Sequence, residues 1–130
     1  MTEETTNGVR LEGLTLPVSD LERSLAFYRD LLGFGVEYRN GSTIALLRIG
    51  WGTLGLLHAE APGPAGPRTN VHVELTTDDL DGLYGDLRGR GAEFLEPPRD
   101  KPWERAMSLL DPDGYRVEFA QGRRGRNRTE

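Results

Sequence analysis

The chain has no cysteine in its 130 residues, which excludes disulfides and thiolate metal sites. It has no apolar run near the ~20 residues that a membrane-spanning helix needs. The first residues, MTEETTNGV, have neither a basic start nor an apolar stretch, so they do not read as a signal peptide. A cytoplasmic location without a membrane partner is therefore the simplest expectation. Positive charge is also in short supply. Sixteen Lys and Arg stand against 21 Asp and Glu, a net charge of −5, which argues against a nucleic-acid partner. No glycine-rich phosphate loop opens a helix, and no serine with a partnered base stands out. The acidic balance reverses only in the tail GRRGRNRTE, where Arg123, Arg124, Arg126 and Arg128 outnumber Glu130. Such a tail buries too little apolar area to order itself, and it reads as a solvated, disordered end.

What the chain does have is one pattern written twice. Leu11 to Phe34, LEGLTLPVSDLERSLAFYRDLLGF, and Val71 to Phe94, VHVELTTDDLDGLYGDLRGRGAEF, both run strand, acidic helix start, amphipathic helix, glycine stop. Leu14, Leu16 and Val18 alternate with Gly13, Thr15 and Pro17. Val71, Val73 and Leu75 alternate with His72, Glu74 and Thr76. Period-two alternation marks strands with one buried face. Ser19 with Glu22 reads as a capping box, and Leu21, Leu25, Tyr28 and Leu32 form one helical stripe that stops at Gly33. In the second copy Asp78 or Asp79 starts the helix. Leu80, Leu83, Tyr84 and Leu87 make the stripe, and Gly91 is the stop. Gly82, Gly85 and Gly89 each weaken this helix by roughly 1 kcal/mol relative to alanine.

Three short strands are expected after each helix. They lie near Gly35–Arg39, Thr43–Ile49 and Thr53–Leu57, then near Ala92–Leu95, Ala106–Asp111 and Tyr115–Ala120. Asn40-Gly41 and Asp111-Pro112-Asp113-Gly114 supply turns. The predicted organisation is a disordered N-terminus 1–9, a first βαβββ module 10–60, a Pro/Gly linker 61–69, a second module 70–121 and the basic tail 122–130.

The stretches LPVSDLERSLAFYRDLLGF and HVELTTDDLDGLYGDLRGRGAEF, with the ending PWERAMSLLDPDGYRVEFAQ, together resemble the vicinal-oxygen-chelate superfamily of glyoxalases, bleomycin-resistance proteins and extradiol dioxygenases. The resemblance runs from about Leu11 to Gln121. It implies an α+β fold of two βαβββ modules, each a cup-shaped half-barrel, paired in a homodimer. It also implies where a metal would sit. In metal-dependent members the first strand of each module offers a His and the last strand a Glu. Seven residues before Asp20 and Asp79 stand Gly13 and His72, and the last strands place Gly55 (or Leu56) and Glu118 at the other two positions. Half of the ligand set is thus expected to lack a donor, and two protein ligands hold a divalent ion poorly. Glu74 is a candidate third ligand, and His58 or Glu60 a further one. Without a metal, His72 stands as a cavity-wall histidine beside Glu118, able to serve as a base or an orienting donor. Strand parity turns Arg116 inward with Glu118, and an Arg116–Glu118 or Arg116–Glu74 ion pair is expected.

Gly13, Gly55, Gly50 and Gly52 are expected to leave bare backbone that suits the close approach of a flat molecule. Trp103, Trp51 and Tyr38 are candidate stacking surfaces, and Met107 a further ligand contact. Trp51 and Trp103 read alternatively as caps of sheet ends or as part of a dimer interface. Members of the superfamily without the metal set include proteins that sequester an antibiotic between two subunits. The first reading is therefore a cofactor-free homodimer that binds an aromatic or polycyclic small molecule through Trp103, Trp51, Tyr38, His72, Glu74, Arg116, Glu118, Gly13, Gly55 and Met107. The rival is an enzyme, a lyase, isomerase or dioxygenase relative. It would work with a metal on His72, Glu118 and Glu74, or without one through His72.

Overall fold

Two acidic side chains start the two helices, and each does so by accepting a backbone N–H. Asp20 accepts from Arg23 N at 3.2 Å, and Asp79 accepts from Gly82 N at 3.0 Å. The expected capping box at Ser19 is thus shifted by one residue. The Ser19 hydroxyl instead accepts a hydrogen bond from the Arg23 guanidinium at 2.7 Å. The computed structural model describes residues 7–59 and 68–122. The expectations made for residues 1–6, for Glu60 and the linker to 67, and for the tail from 123 lie outside the described residues.

The chain divides into two compact units, Met1–Pro62 and Gly63–Glu130. The first holds β1 (Gly13–Val18), α1 (Leu21–Leu25) with a π-helical continuation (Ala26–Leu31), β2 (Gly35–Asn40), β3 (Ile44–Ile49) and β4 (Gly52–His58). The second holds β5 (Arg68–Thr76), α2 (Leu80–Gly89), β6 (Glu96–Asp100), β7 (Glu104–Leu110) and β8 (Tyr115–Gly122). Both are βαβββ modules with the same sheet. The strand orders are β1-β4-β3-β2 and β5-β8-β7-β6, and the first pair in each is parallel.

Each sheet buries one face under its helix. Leu16, Val18, Ala45, Leu47, Leu54 and Leu56 meet Leu21, Leu25, Tyr28 and Leu32 in the first core. Val73, Met107, Leu109, Val117 and Phe119 meet Leu80 and Leu87 in the second. The residues of opposite parity lie on the far face of each sheet. Across the first sheet Thr15, Gly55, Leu46 and Tyr38 stand in one row. Across the second the row is Glu74, Glu118, Ser108 and Glu96.

Two local expectations are corrected. The first helix widens after Leu25, where Leu32 N donates to Phe27 O at 2.9 Å, five residues back. The strand expected at Ala92–Leu95 begins only at Glu96. Ala92 N still donates to Leu87 O at 3.0 Å, closing the end of α2 around Gly91 at φ 97°. Pro97 and Pro98 can follow because β6 is an edge strand, with a register shift between Glu96 and Arg99. Asn40-Gly41 forms the expected hairpin turn between β2 and β3, with Gly41 to Thr43 between the paired Asn40 and Ile44. The Asp111–Gly114 turn forms as written. The Asp111 carboxylate accepts from Asp113 N at 2.8 Å and Tyr115 N at 2.9 Å, and Gly114 takes φ 91°.

Arg105 ties α2 to the sheet edge. It donates to Asp81 at 3.0 and 2.9 Å and to Asp100 at 3.2 Å. The hydrogen bond from Arg105 holds the Asp81 carboxyl below its ordinary range. This contribution to stability is therefore present above that range and is lost as pH falls through the depressed value. Exposure of the pair keeps it small.

The glycines of α2 differ in kind. A side chain at Gly82 would press on the capping Asp79 carboxylate, whereas Gly85 is exposed with open space around it. Gly85→Ala is accordingly expected to stabilise the protein by about 1 kcal/mol, read as a raised thermal midpoint. An unchanged or lowered midpoint would mean that helix propensity does not limit this unit.

Candidate functional site

The far face of the second sheet carries the polar cluster. His72 and Glu74 are two apart on β5, and so share a face. In the parallel register His72 lies beside Arg116, and Glu74 beside Glu118, on β8. Donor atoms of His72, Glu74 and Glu118 all lie within 4.8 Å of one another. His72 and Glu74 are exposed, while the Glu118 side chain is only 13% exposed. Two carboxylates side by side on adjacent strands repel each other and call for a cation.

That cation is Lys101. Its ammonium donates to Glu118 Oε2 at 3.2 Å from the connection between β6 and β7. Lys101 N donates to Glu104 O at 2.7 Å, which closes a tight turn. The turn sends the lysine side chain to the far face and leaves the Trp103 indole 55% exposed two residues on. The expected Arg116–Glu118 or Arg116–Glu74 pair is corrected. Arg116 donates to Glu96 at 3.1 Å instead, because β6 brings Glu96 to the same face through the Ser108 pairing.

Ser108 lies directly across from Glu118, 1% exposed, and its hydroxyl has no hydrogen-bond partner among the described residues. The same holds for Arg116 Nε. A buried donor without a partner is costly, and such groups are rare in folded proteins. These two lie on the far face of the second sheet; a third unpartnered hydroxyl among the described residues, Ser24 Oγ, lies buried in α1 of the first unit. Sequence reasoning passed over Ser108, although the Asp111–Gly114 turn sets its register opposite Glu118. Lys101 carried no such signal, since a bulge and two prolines precede it.

The remaining candidates divide. Tyr38 stands on the far face of the first sheet beside Leu46, 51% exposed. Trp51 is 99% exposed at the tip of the β3–β4 hairpin, where its carbonyl accepts from Arg48 at 3.1 Å. Met107 is corrected. It is 1% exposed and pairs with Phe119 on the face under α2, so it is core. His58 pairs with Val18 and has the parity opposite to Gly55, so the strand does not turn it to the far face.

The two glycines are corrected as well. By register Gly55 occupies the place of Glu118, since Thr15 pairs with Gly55 as Glu74 pairs with Glu118; Leu56 faces the core. Neither Gly13 nor Gly55 opens space. A Cβ on Gly13 would lie 1.9 Å from the Thr53 carbonyl oxygen, and one on Gly55 would lie 2.8 Å from the Thr15 hydroxyl and 3.2 Å from Leu46. These are close-approach glycines. The four-donor metal set implied by the resemblance therefore does not fit. Two positions have no donor, backbone occupies the space for one at Gly13, side chains crowd it at Gly55, and an ammonium stands at a third.

The family model described as Glyoxalase/Bleomycin resistance protein/Dioxygenase superfamily matches residues 10–119. Glutathione transferase FosA of Serratia marcescens is 31% identical over 116 residues, covering 86% of this chain and 80% of that protein. Lactoylglutathione lyase of Haemophilus influenzae is 26% identical over 128 residues, covering 83% and 89%. Among solved structures, a glyoxalase/bleomycin resistance protein/dioxygenase from Nocardioides is similar at a TM-score of 0.75 and 28% identity, covering 94% of this chain and 91% of that one. TnmS3, an antibiotic binding protein from Streptomyces sp. CB03234, shares the fold at a TM-score of 0.71 and 24% identity, covering 88% and 97%. The chain belongs to the glyoxalase/bleomycin resistance protein/dioxygenase superfamily.

Proposed function

We propose that this protein binds a small aromatic or polycyclic molecule, such as an antibiotic, and protects against it by holding it without metal and without turnover. The observation that carries this reading is the Lys101 ammonium on Glu118, 3.2 Å from its oxygen. It neutralises the carboxylate that a metal would need. The ligand's polar atoms would meet the Ser108 hydroxyl and Arg116 Nε, both buried and unmet among the described residues. Its apolar body would meet Trp103 at the rim of the same turn. An apolar surface with a few directed polar groups is what such binding requires. We further propose a homodimer in the cytoplasm. The exposed Leu11 and Trp51, at 91% and 99%, are apolar groups that pairing would cover.

Tryptophan fluorescence in the presence of EDTA tests the proposal. Planar polycyclic antibiotics are expected to quench it saturably, to be recovered at unchanged mass, and to bind about tenfold more weakly to Trp103→Ala, the ~1–3 kcal/mol order of one aromatic stacking contact. Binding that vanishes with EDTA, or a ligand recovered at a new mass, would refute it.

One observation favours a second reading, an enzyme of the lyase, isomerase or transferase kind. His72, Glu74 and Glu118 bring three donors together, and relatives carry the names glutathione transferase and lactoylglutathione lyase. Stoichiometric metal surviving dialysis of the wild-type protein would favour it.

A further inference from the structure

We propose that Lys101 is a tethered cation that closes a three-donor metal site within the second sheet, so that the ammonium and a divalent ion are mutually exclusive occupants of the His72–Glu74–Glu118 cluster. Glu74 and Glu118 stand side by side in the β5–β8 register, and His72 completes a group whose donors lie within 4.8 Å of one another. Three protein donors are the number that catalytic zinc sites use. A zinc ion on Glu118 would sit about 2.0–2.2 Å from a carboxylate oxygen. Lys101 Nζ already lies 3.2 Å from that oxygen. An ammonium and a divalent ion sharing one carboxylate at those ranges repel each other strongly in a half-buried setting, where the lysine is 22% and the glutamate 13% exposed.

A second observation points the same way. The Ser108 hydroxyl, 1% exposed, lies across from Glu118 without a partner among the described residues. A water on the metal would satisfy it, whereas the lysine ammonium donates to Glu118. The lysine thus acts as a lock that the chain carries itself. It gives the electrostatic compensation of an ion while leaving no open coordination position. The inference rests on the same Lys101–Glu118 contact as the proposed function, but it does not depend on which ligand the protein binds.

Equilibrium dialysis of the full chain against micromolar Zn²⁺, followed by metal analysis and calorimetric titration, tests it. The wild type and Lys101→Arg are expected to retain far less than one zinc per chain. Lys101→Met is expected to retain one per chain, with a dissociation constant at least tenfold lower, and His72→Ala in that background is expected to abolish the gain. Lys101→Gln serves as the second opening variant should Lys101→Met fail to fold, as judged by circular dichroism. A wild type that already binds one zinc as tightly as the opened variant overturns the inference, as does a folded Lys101→Met or Lys101→Gln with no gain. Metal-free binding of the aromatic ligand by the wild type, with no zinc gain in the folded variants, would remove the lock and leave the proposed function intact. Turnover of the ligand by zinc-free wild type, with the gain present, would do the reverse.

Discussion

Placing histidine at Gly13, the position that mirrors His72, is expected to destabilise the first unit strongly rather than to supply a metal ligand. The Cβ alone would stand 1.9 Å from the Thr53 carbonyl oxygen, and that oxygen belongs to a strand paired in parallel with β1. Backbone cannot swing aside as the end of a side chain can. The two strands must separate, which breaks the ladder from Gly13–Thr53 to Val18–His58. Overpacking of this kind costs roughly 3 kcal/mol or more, and Gly13→Ala should already show most of it. For a chain of this size the thermal midpoint should fall by about 10 °C or more. A Gly13→His protein that melts like the wild type, or that gains a bound metal ion, would show that the strands are free to part. The glycine would then be a vacant ligand position after all.

Tyr28→Ala is expected to have the other large effect. Tyr28 is 0% exposed on the π-helical stretch, in edge-to-face contact with Phe27 at 4.9 Å between ring centres. Removing a buried ring of this size costs about 3–5 kcal/mol, transfer and cavity together. Total stabilities are commonly ~5–15 kcal/mol, so much of the margin would go. Chemical denaturation gives the measurement. A loss under about 1 kcal/mol would mean that the first core is not organised around this residue.

Much of this was legible in the residues. The stripe Leu21, Leu25, Tyr28 and Leu32 is buried as a set. The glycine stops at Gly33 and Gly91 take φ 86° and 97°. Parity put Glu74, Arg116 and Glu118 on one face with His72, and the register agrees. Most misses fall where the chain leaves a regular period; Met107 is the exception, because its parity alone places it with the core. Read two by two from Phe119 through the Asp111–Gly114 turn, it falls on the core side. The π-helical widening after Leu25 has no residue signature that we can identify. The late start of β6 followed from the closing bond of α2 reaching to Ala92, a contact of backbone atoms that composition does not encode.

The sequence by itself determined two βαβββ modules, their turns, their helix starts to within one residue, and the face on which most strand residues stand. All of these follow from rules of short range, the periods of 2 and 3.6 residues and the conformational freedom of a few glycines. The tertiary structure alone decided what meets Glu118. Arg116 was nearer in sequence, but the bulged edge strand brings Lys101 to the carboxylate and gives Arg116 to Glu96. It alone decided that the Thr53 backbone fills the place beside Gly13 and that the Thr15 and Leu46 side chains crowd the place beside Gly55. Charge and volume at these places belong to neighbours supplied by other strands, and distance along the chain says nothing of how close such neighbours come.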